Sequence, residues 1–265
     1  MNKAAALLHV ICSFLLLMGC QQKGELSFPS NWVDLSHSYD STTLYWPTSP
    51  VFKMDTVFEG QTDKGYYYSA YQFCTAEHGG THMDAPVHFA EGKQEVDQVP
   101  LKTLTGEGVV VDLASIVNGN ADYLITAKDL QQWFDLKKID PSGKIILMHT
   151  GFGKFWPDAK KYLGTDMRGD EAVPQLHFPG LSEDGANWAV EKKVKSIGLD
   201  TPSIDYGQST DFMAHRVLFA ANIPAFENLA NLDKLVDHQV WVVALPMKLK
   251  GGSGAPLRII AAVHQ

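Results

Sequence analysis

His78-Gly79-Gly80-Thr81-His82-Met83-Asp84-Ala85-Pro86-Val87-His88 gathers three of the chain's ten histidines and one aspartate into eleven residues. Imidazole nitrogens and carboxylate oxygens are donors suited to zinc or manganese. His78 and His82 stand four apart, a spacing that a helix would show on one face. Gly79 and Gly80 argue against that helix, because glycine costs about 1 kcal/mol in a helix interior. A tight loop is the better reading, since glycine lets the backbone fold back until both rings meet one ion. Asp84 follows His82 by two positions and shares its side if the chain is extended there. Ala85 is biased to extended geometry by Pro86, which displaces His88 from the cluster and leaves it free to face a substrate. A lone histidine is ordinarily a surface or core residue, but four donors at this spacing point to a metal.

Outward from this stretch, short runs rich in Val, Ile and Leu read as buried strands: Gly108–Leu113, Ile145–Met148, Val194–Leu199, Val240–Leu245 and Arg258–Val263. Thr126 can cap a helix that places Leu130, Trp133 and Phe134 on one face, with Asp129 at its third position. Ser182 can cap a second helix carrying Ala186, Ala189 and Val190. A third is predicted from about Ser209 to Ala221, stopped by Asn222-Ile223-Pro224. Strands and helices alternate from about residue 108 to 200, while the first hundred residues are rich in strands and turns. This mixture predicts an α/β fold with a mixed sheet rather than a clean doubly wound one. No repeat, low-complexity tract or linker divides the chain after residue 30, so residues 31–265 read as one domain.

Composition is that of a globular protein, 45% hydrophobic and 20% charged among 265 residues. A net charge of −8 disfavours nucleic acid as a partner. Lys3 followed by the apolar run Ala4–Met18 reads as a targeting segment, too short for a comfortable bilayer span of roughly 20 residues. It ends in Leu17-Met18-Gly19-Cys20, which resembles the bacterial lipoprotein signal. That resemblance predicts removal of residues 1–19, lipidation of Cys20, a tether over residues 20–30, and a place on the bacterial cell envelope, facing the periplasm or at the outer membrane. A plain secretory signal or a retained anchor is the alternative. Cys12 leaves with the signal and Cys20 is lipidated on this reading, so Cys74 is the one remaining thiol and no internal disulfide is expected.

The opening stretch fills every fixed position of the H-x-G-T-H-x-D-x-P-x-H signature of the cyclase family, which includes bacterial kynurenine formamidases and isatin hydrolases. The resemblance runs from about Trp32 to the C-terminus. It takes in Asp34-Leu35-Ser36-His37, Phe178-Pro179-Gly180-Leu181-Ser182, Gly198-Leu199-Asp200-Thr201-Pro202-Ser203-Ile204-Asp205 and Gly251-Gly252-Ser253-Gly254-Ala255-Pro256-Leu257-Arg258. It implies a partly barrel-like sheet flanked by helices, with His78, His82 and Asp84 as metal ligands and His88 as acid/base. His215 and Glu227 match two later ligands, which in the formamidases complete a binuclear site bridged by the aspartate. The segment Ser203-Ile204-Asp205-Tyr206-Gly207-Gln208-Ser209 resembles more closely the isatin-hydrolase branch, which is identified with one manganese. Zinc or manganese, and one ion or two, therefore both stay open. The family also implies a homo-oligomer, dimer or tetramer.

The residues fit that implication. His215 lies on the third helix and Glu227 just past its proline stop, so a hairpin-like return would bring both to one pole. Trp46, in Tyr45-Trp46-Pro47, is either core or the wall of an aromatic substrate pocket, and Phe73 is more readily core. Ser203 and Asp205 follow a buried strand, where active-site loops often sit, and Ser203 is taken as a substrate contact. A serine nucleophile is disfavoured because no G-x-S-x-G elbow is present. His149, His177, His238 and His264 read as structural, and so does His37, though His37 is the best exception among them. The expected chemistry is attack of metal-bound hydroxide on the amide carbonyl of a small aromatic substrate, an aryl formamide or an isatin-like cyclic amide. His88 would carry the proton to the leaving nitrogen. The rival class is a lipid-anchored protein that holds a metal or small ligand without turnover.

Overall fold

The computed structural model describes residues 31–263. The signal, Cys20, the tether and His264 lie outside the described residues.

Three parallel strands form the spine: β5 (Thr105–Asp112), β7 (Ile145–His149) and β9 (Ser196–Leu199). Both of their faces are buried, which is why they read as continuous aliphatic runs. Val109, Val111, Ile146 and Met148 pack towards one apolar cluster, and Val110, Ile145 and Leu147 towards another, the period-two alternation of a strand. On one side β5 continues antiparallel into β11 (Gln239–Pro246) and then β12 (Gly254–Val263). On the other side β9 is followed by the parallel β10 (Ala225–Glu227). The short β4 (His82–Asp84) pairs antiparallel with both β10 and β12 and closes the ring. Seven strands thus make a closed, barrel-like sheet, with β1 (Trp32–Asp34) added outside against β12. A small parallel pair, β6 (Leu124–Ile125) with β8 (Gly180–Leu181), lies apart from it.

Helices cover the face on which Val109 and Val111 emerge. In α1 (Ala127–Lys137) the Asp129 amide donates to Thr126 Oγ1 at 3.2 Å, and the Asp129 carboxylate accepts the Thr126 amide at 2.9 Å. Leu130, Trp133 and Phe134 are buried, as their spacing predicts. In α2 (Glu183–Glu191) Ser182 Oγ accepts the Gly185 amide, and Ala186 and Ala189 are buried while Val190 is half-buried. The third helix is shorter than the sequence suggests. α3 runs Met213–Ala220, and Ser209–Asp211 are not helical. Its first amides are capped from a distance: Asp205 accepts from Ala214 and His215, and Phe212 takes a left-handed conformation to enter the helix. Asn222, with φ 57°, ends it before Pro224.

The path from α3 to Glu227 is not a hairpin-like return. Strand β9, α3 and β10 form a parallel crossover, and β10 reaches the centre by lying beside β4. The strand-rich N-terminal part contains a long hairpin of β2 (Lys53–Gln61) and β3 (Tyr67–Cys74), a separate two-stranded sheet. Cys74 is a free, exposed thiol. Among the described residues no helix is long and apolar enough to cross a membrane.

Candidate metal centre

The glycine pair makes the loop that the sequence calls for. Gly79 has φ +146° and Gly80 φ +58°. A Cβ on Gly79 would lie 2.0 Å from Tyr45 Cδ1, and one on Gly80 2.6 Å from Tyr39 Cζ. The Tyr39 hydroxyl donates to the carbonyls of Gly79 at 2.8 Å and Thr81 at 2.7 Å, fixing the loop from beneath. Strand alternation in β4 then sends His82 and Asp84 to one face while Met83 enters the core. Glu227 stands opposite His82 in the β10–β4 register, where side chains meet at short range. Gly254, opposite Asp84 on β12, leaves room for the His78 ring; a Cβ there would lie 2.4 Å from His78 Cε1.

Each imidazole is oriented by a different partner. His82 Nδ1–H donates to the Gly80 carbonyl at 3.0 Å, so in the neutral ring Nε2 is the atom left to meet a cation. That atom faces Asp84 Oδ1 at 3.0 Å and Glu227 Oε2 at 3.3 Å. His215 Nδ1 is held by Asp205 Oδ2 at 2.6 Å, turning Nε2 towards Asp84 Oδ2 at 3.1 Å and Glu227 Oε1 at 3.4 Å. Ser253 Oγ donates to Glu77 Oε2 at 2.7 Å and is left to accept from His78 Nε2, 3.0 Å away. His78 Nδ1 then faces Asp84 Oδ1 at 2.6 Å. Partners of this kind fix the tautomer and aim of metal-ligating histidines.

The donor atoms fall into two sets, His78–His82–Asp84 and Asp84–His215–Glu227, each within 4.8 Å of one another. Asp84 belongs to both, one oxygen towards each. Asp84 and Glu227 are buried, and their ion-pair contacts are with His78, His82 and His215. Two buried carboxylates in such a place demand positive charge. His82 Nε2 is buried without a hydrogen-bond partner. These features fit a divalent cation with mixed N/O ligands.

The electrostatics of the same groups without a metal point the same way. Burial lowers the His82 pKa, but the charges of Asp84 and Glu227 overcome it and lift it to about 9. His215 is opposed by burial in the same way and raised by Asp205, Asp84 and Glu227. Burial, then the charge of Asp84, pushes Glu227 up. Asp84 is held well below the usual carboxylate range: burial opposes this, and His78, His82 and His215 overcome it. The cluster recruits protons where a cation would displace them.

His88 belongs to neither donor set. It ends the short turn Pro86–His88 and stacks on His78 at 3.8 Å. Burial lowers its pKa to about 4, with the neighbouring histidines adding to the effect against Asp84. It lines a cavity of about 260 Å³ above the donors, as do Trp46 and Ser203. Leu44, Phe89, Leu163 and Phe212 supply apolar wall that the sequence did not single out. The sequence reading also missed the part played by Asp205, Ser253 and Glu77. Only the first had a signal, an acid ten residues before His215. Asp200 anchors a neighbouring loop, accepting from the amides of Thr150, Gly151 and Gly153. His149 and His177 pair with Asp112 and Asp122 outside the centre. His37 stacks on Trp156 at 4.2 Å with Nε2 buried and unpartnered.

A centre of this composition, closed into a mixed barrel, defines a metal-dependent hydrolase. Residues 33–206 match the Cyclase family model, and the chain belongs to that family. It is 28% identical over 244 residues to the isatin hydrolase of Roseibium aggregatum, covering 84% of this chain and 90% of the relative. It is 25% identical over 231 residues to the kynurenine formamidase of Bacillus cereus, covering 87% and 97%. The crystal structure of an isatin hydrolase bound to the product analogue thioisatinate superposes with a TM-score of 0.79 at 25% identity, covering 100% of both chains. Isatin hydrolase A from Ralstonia solanacearum gives 0.78 at 26%.

Proposed function

We propose that this protein hydrolyses the amide or cyclic amide bond of a small, uncharged aromatic substrate. The carrying observation is the convergence of His78, His82, Asp84, His215 and Glu227 at one end of a cavity walled by Trp46, Phe89 and Phe212. The residues lining that cavity include no lysine or arginine. The Arg168 guanidinium stands behind this lining but is spent on the Tyr45 and Ser49 carbonyls, so an apolar, isatin-like ring suits the cavity better than a formylated amino acid. Relatives that are enzymes by name argue against binding without turnover.

The five donors would hold zinc or manganese, with Asp84 placed to serve two ions. The chemistry supplied by such a cation is acidification of a water and polarisation of the scissile carbonyl. His88 does the proton work. Being neutral near pH 7, it takes the proton released by the attacking water and passes it to the leaving nitrogen. The stack on His78 keeps its ring over the donors, and Ser203 borders the substrate from the opposite loop. The test pairs a substrate panel with His88→Ala. Isatin should turn over faster than N-formylkynurenine in metal-loaded protein, and His88→Ala should keep its metal while losing about 10²–10⁴ in turnover. Equal turnover of both variants on every amide would end this reading.

For location, we propose that residues 1–19 direct export and that Cys20 carries a lipid, holding the enzyme on the bacterial envelope. Cys20→Ala should move the protein from the membrane fraction to the soluble one; unchanged association would point to a retained anchor.

A further inference from the structure

The cavity wall that carries Trp46 is anchored at two ends. Its inner end is tied to the metal loop. The Leu44 carbonyl accepts the Gly80 amide at 3.0 Å. The buried Tyr45 ring lies against Gly79, and its hydroxyl meets Thr75 Oγ1 at 2.6 Å. Beyond Tyr45 the chain turns back. The Ser49 amide donates to the Trp46 carbonyl at 2.9 Å and closes a turn with Pro47 at its second position, where the fixed φ of proline suits it. This turn is the rim, and both Trp46 and Ser49 line the cavity.

The outer end has a different anchor. Arg168 Nη1 donates to the Tyr45 carbonyl at 3.3 Å, and Nη2 donates to the Ser49 carbonyl. The next amide, that of Gly169, donates to the Pro47 carbonyl at 3.0 Å. One guanidinium thus grips the chain on both sides of Trp46, with a single backbone bond between. A planar fork of five donors can hold two carbonyls in fixed geometry, which a compact ammonium cannot. Arg168 itself is exposed and does not line the cavity.

Trp46 meets Phe212 with ring centroids 6.3 Å apart and planes at 58°. Phe212 is fixed by its left-handed place at the head of α3 and by Phe89, 5.2 Å away. One aromatic wall is therefore built on a helix, and the other hangs on one exposed side chain. On the hydrolase reading above, we propose that Arg168 determines specificity: its grip on the Trp46–Ser49 turn sets the width of the aromatic slot, and so the size of ring that the cavity admits.

Arg168 is a positioning residue, acting through Trp46. Its loss frees the rim but leaves the inner anchors in place, so the Gly79–Gly80 loop and the donors it carries stay where they are. What is lost is binding that substrate and transition state share, and such a loss raises KM while kcat holds.

Two variants of the metal-loaded protein test this. Arg168→Met keeps the apolar stem and removes the fork, and Arg168→Lys keeps the charge. For isatin, Arg168→Met should raise KM about 10-fold with kcat and metal content held, the scale of a modest change in pocket fit. For an isatin enlarged by a phenyl group on its benzene ring, kcat/KM should rise about 10-fold relative to isatin. Arg168→Lys should behave as Arg168→Met does. Without any substrate, the amides of residues 44–49 should exchange hydrogen about 10-fold faster in Arg168→Met, while those of β5 do not change. Unchanged KM and substrate ranking would overturn the proposal. So would full recovery in Arg168→Lys, loss of metal in Arg168→Met, or unchanged exchange over residues 44–49. A wild type inert on every amide would strike the hydrolase reading, and exchange would still decide whether Arg168 holds the turn.

Discussion

His78, His82 and Asp84 come from one seven-residue stretch, and two of them are aimed by groups of the loop and its neighbours: the Gly80 carbonyl for His82 and Ser253 for His78. His215 and Glu227 arrive from the far end of the chain, on a helix and a strand that tertiary structure brings alongside. They are aimed by a carboxylate, Asp205, and by the register of β10 on β4. The near half is set by backbone conformation and neutral acceptors, and the far half by charge and topology. The two halves should therefore fail differently, and Asp84, one oxygen in each, should fail as both.

Asp84→Asn should show the largest effect. Metal content should fall to near zero and turnover by ~10³ or more, since a bound cation contributes several kcal/mol to the transition state. Elemental analysis beside a rate measurement checks this, and full metal content in the variant would remove Asp84 from the centre. Glu227→Gln strikes the far half first, although Oε2 also faces His82. If that half holds a second ion, stoichiometry should drop from about two to about one, with turnover down by about 10²–10³. An unchanged stoichiometry of one would make the centre mononuclear. Asp205→Asn and Ser253→Ala compare the orienting partners directly. Each should weaken metal binding, by about 10–100-fold at most, and the loss should be greater for Asp205, which also caps α3. Equal losses, measured by competition with a chelator, would erase the distinction drawn here.

The smallest effect lies outside the centre. Burial depresses the His37 pKa from 6.5 to about 4. The folded state therefore resists protonation that the unfolded state accepts. The stability tied to neutral His37 is present above pH 6.5 and lost as pH falls towards 4. Metal-free wild type should lose about 2 kcal/mol more than His37→Phe between pH 7 and 4.5, read from urea titrations. Parallel losses would show that the ring ionises in place.

The same contrast explains what could be read before the structure. The near half is legible because glycines, extended residues and alternating donors act within a few positions of one another. The caps at Thr126 and Ser182 and the aliphatic strands β5, β7, β9, β11 and β12 are legible for the same local reason. The start of α3 is not legible locally because its first amides are capped by Asp205, which lies across the turn that precedes the helix. The path to Glu227 is not legible locally because a crossover is decided by which strands lie side by side. Ser253 and Glu77 left no local trace, since they meet across 176 residues. Likeness to a family named His215 and Glu227; local pattern alone did not.

Strand β4 has one further consequence, for the order of events in the life of the chain. Its three residues form the seam of the barrel, and the partners they need are residues 225–227 and 254–256. Contacts so distant in sequence form late and slowly. A ribosome finishes the metal-binding motif well before it makes residues 225–227 and 254–256, so the seam cannot close until β12 has been made. Closure of the seam is therefore a late event, and a chain cut short before Gly254 would carry the whole motif with β12 missing from its seam.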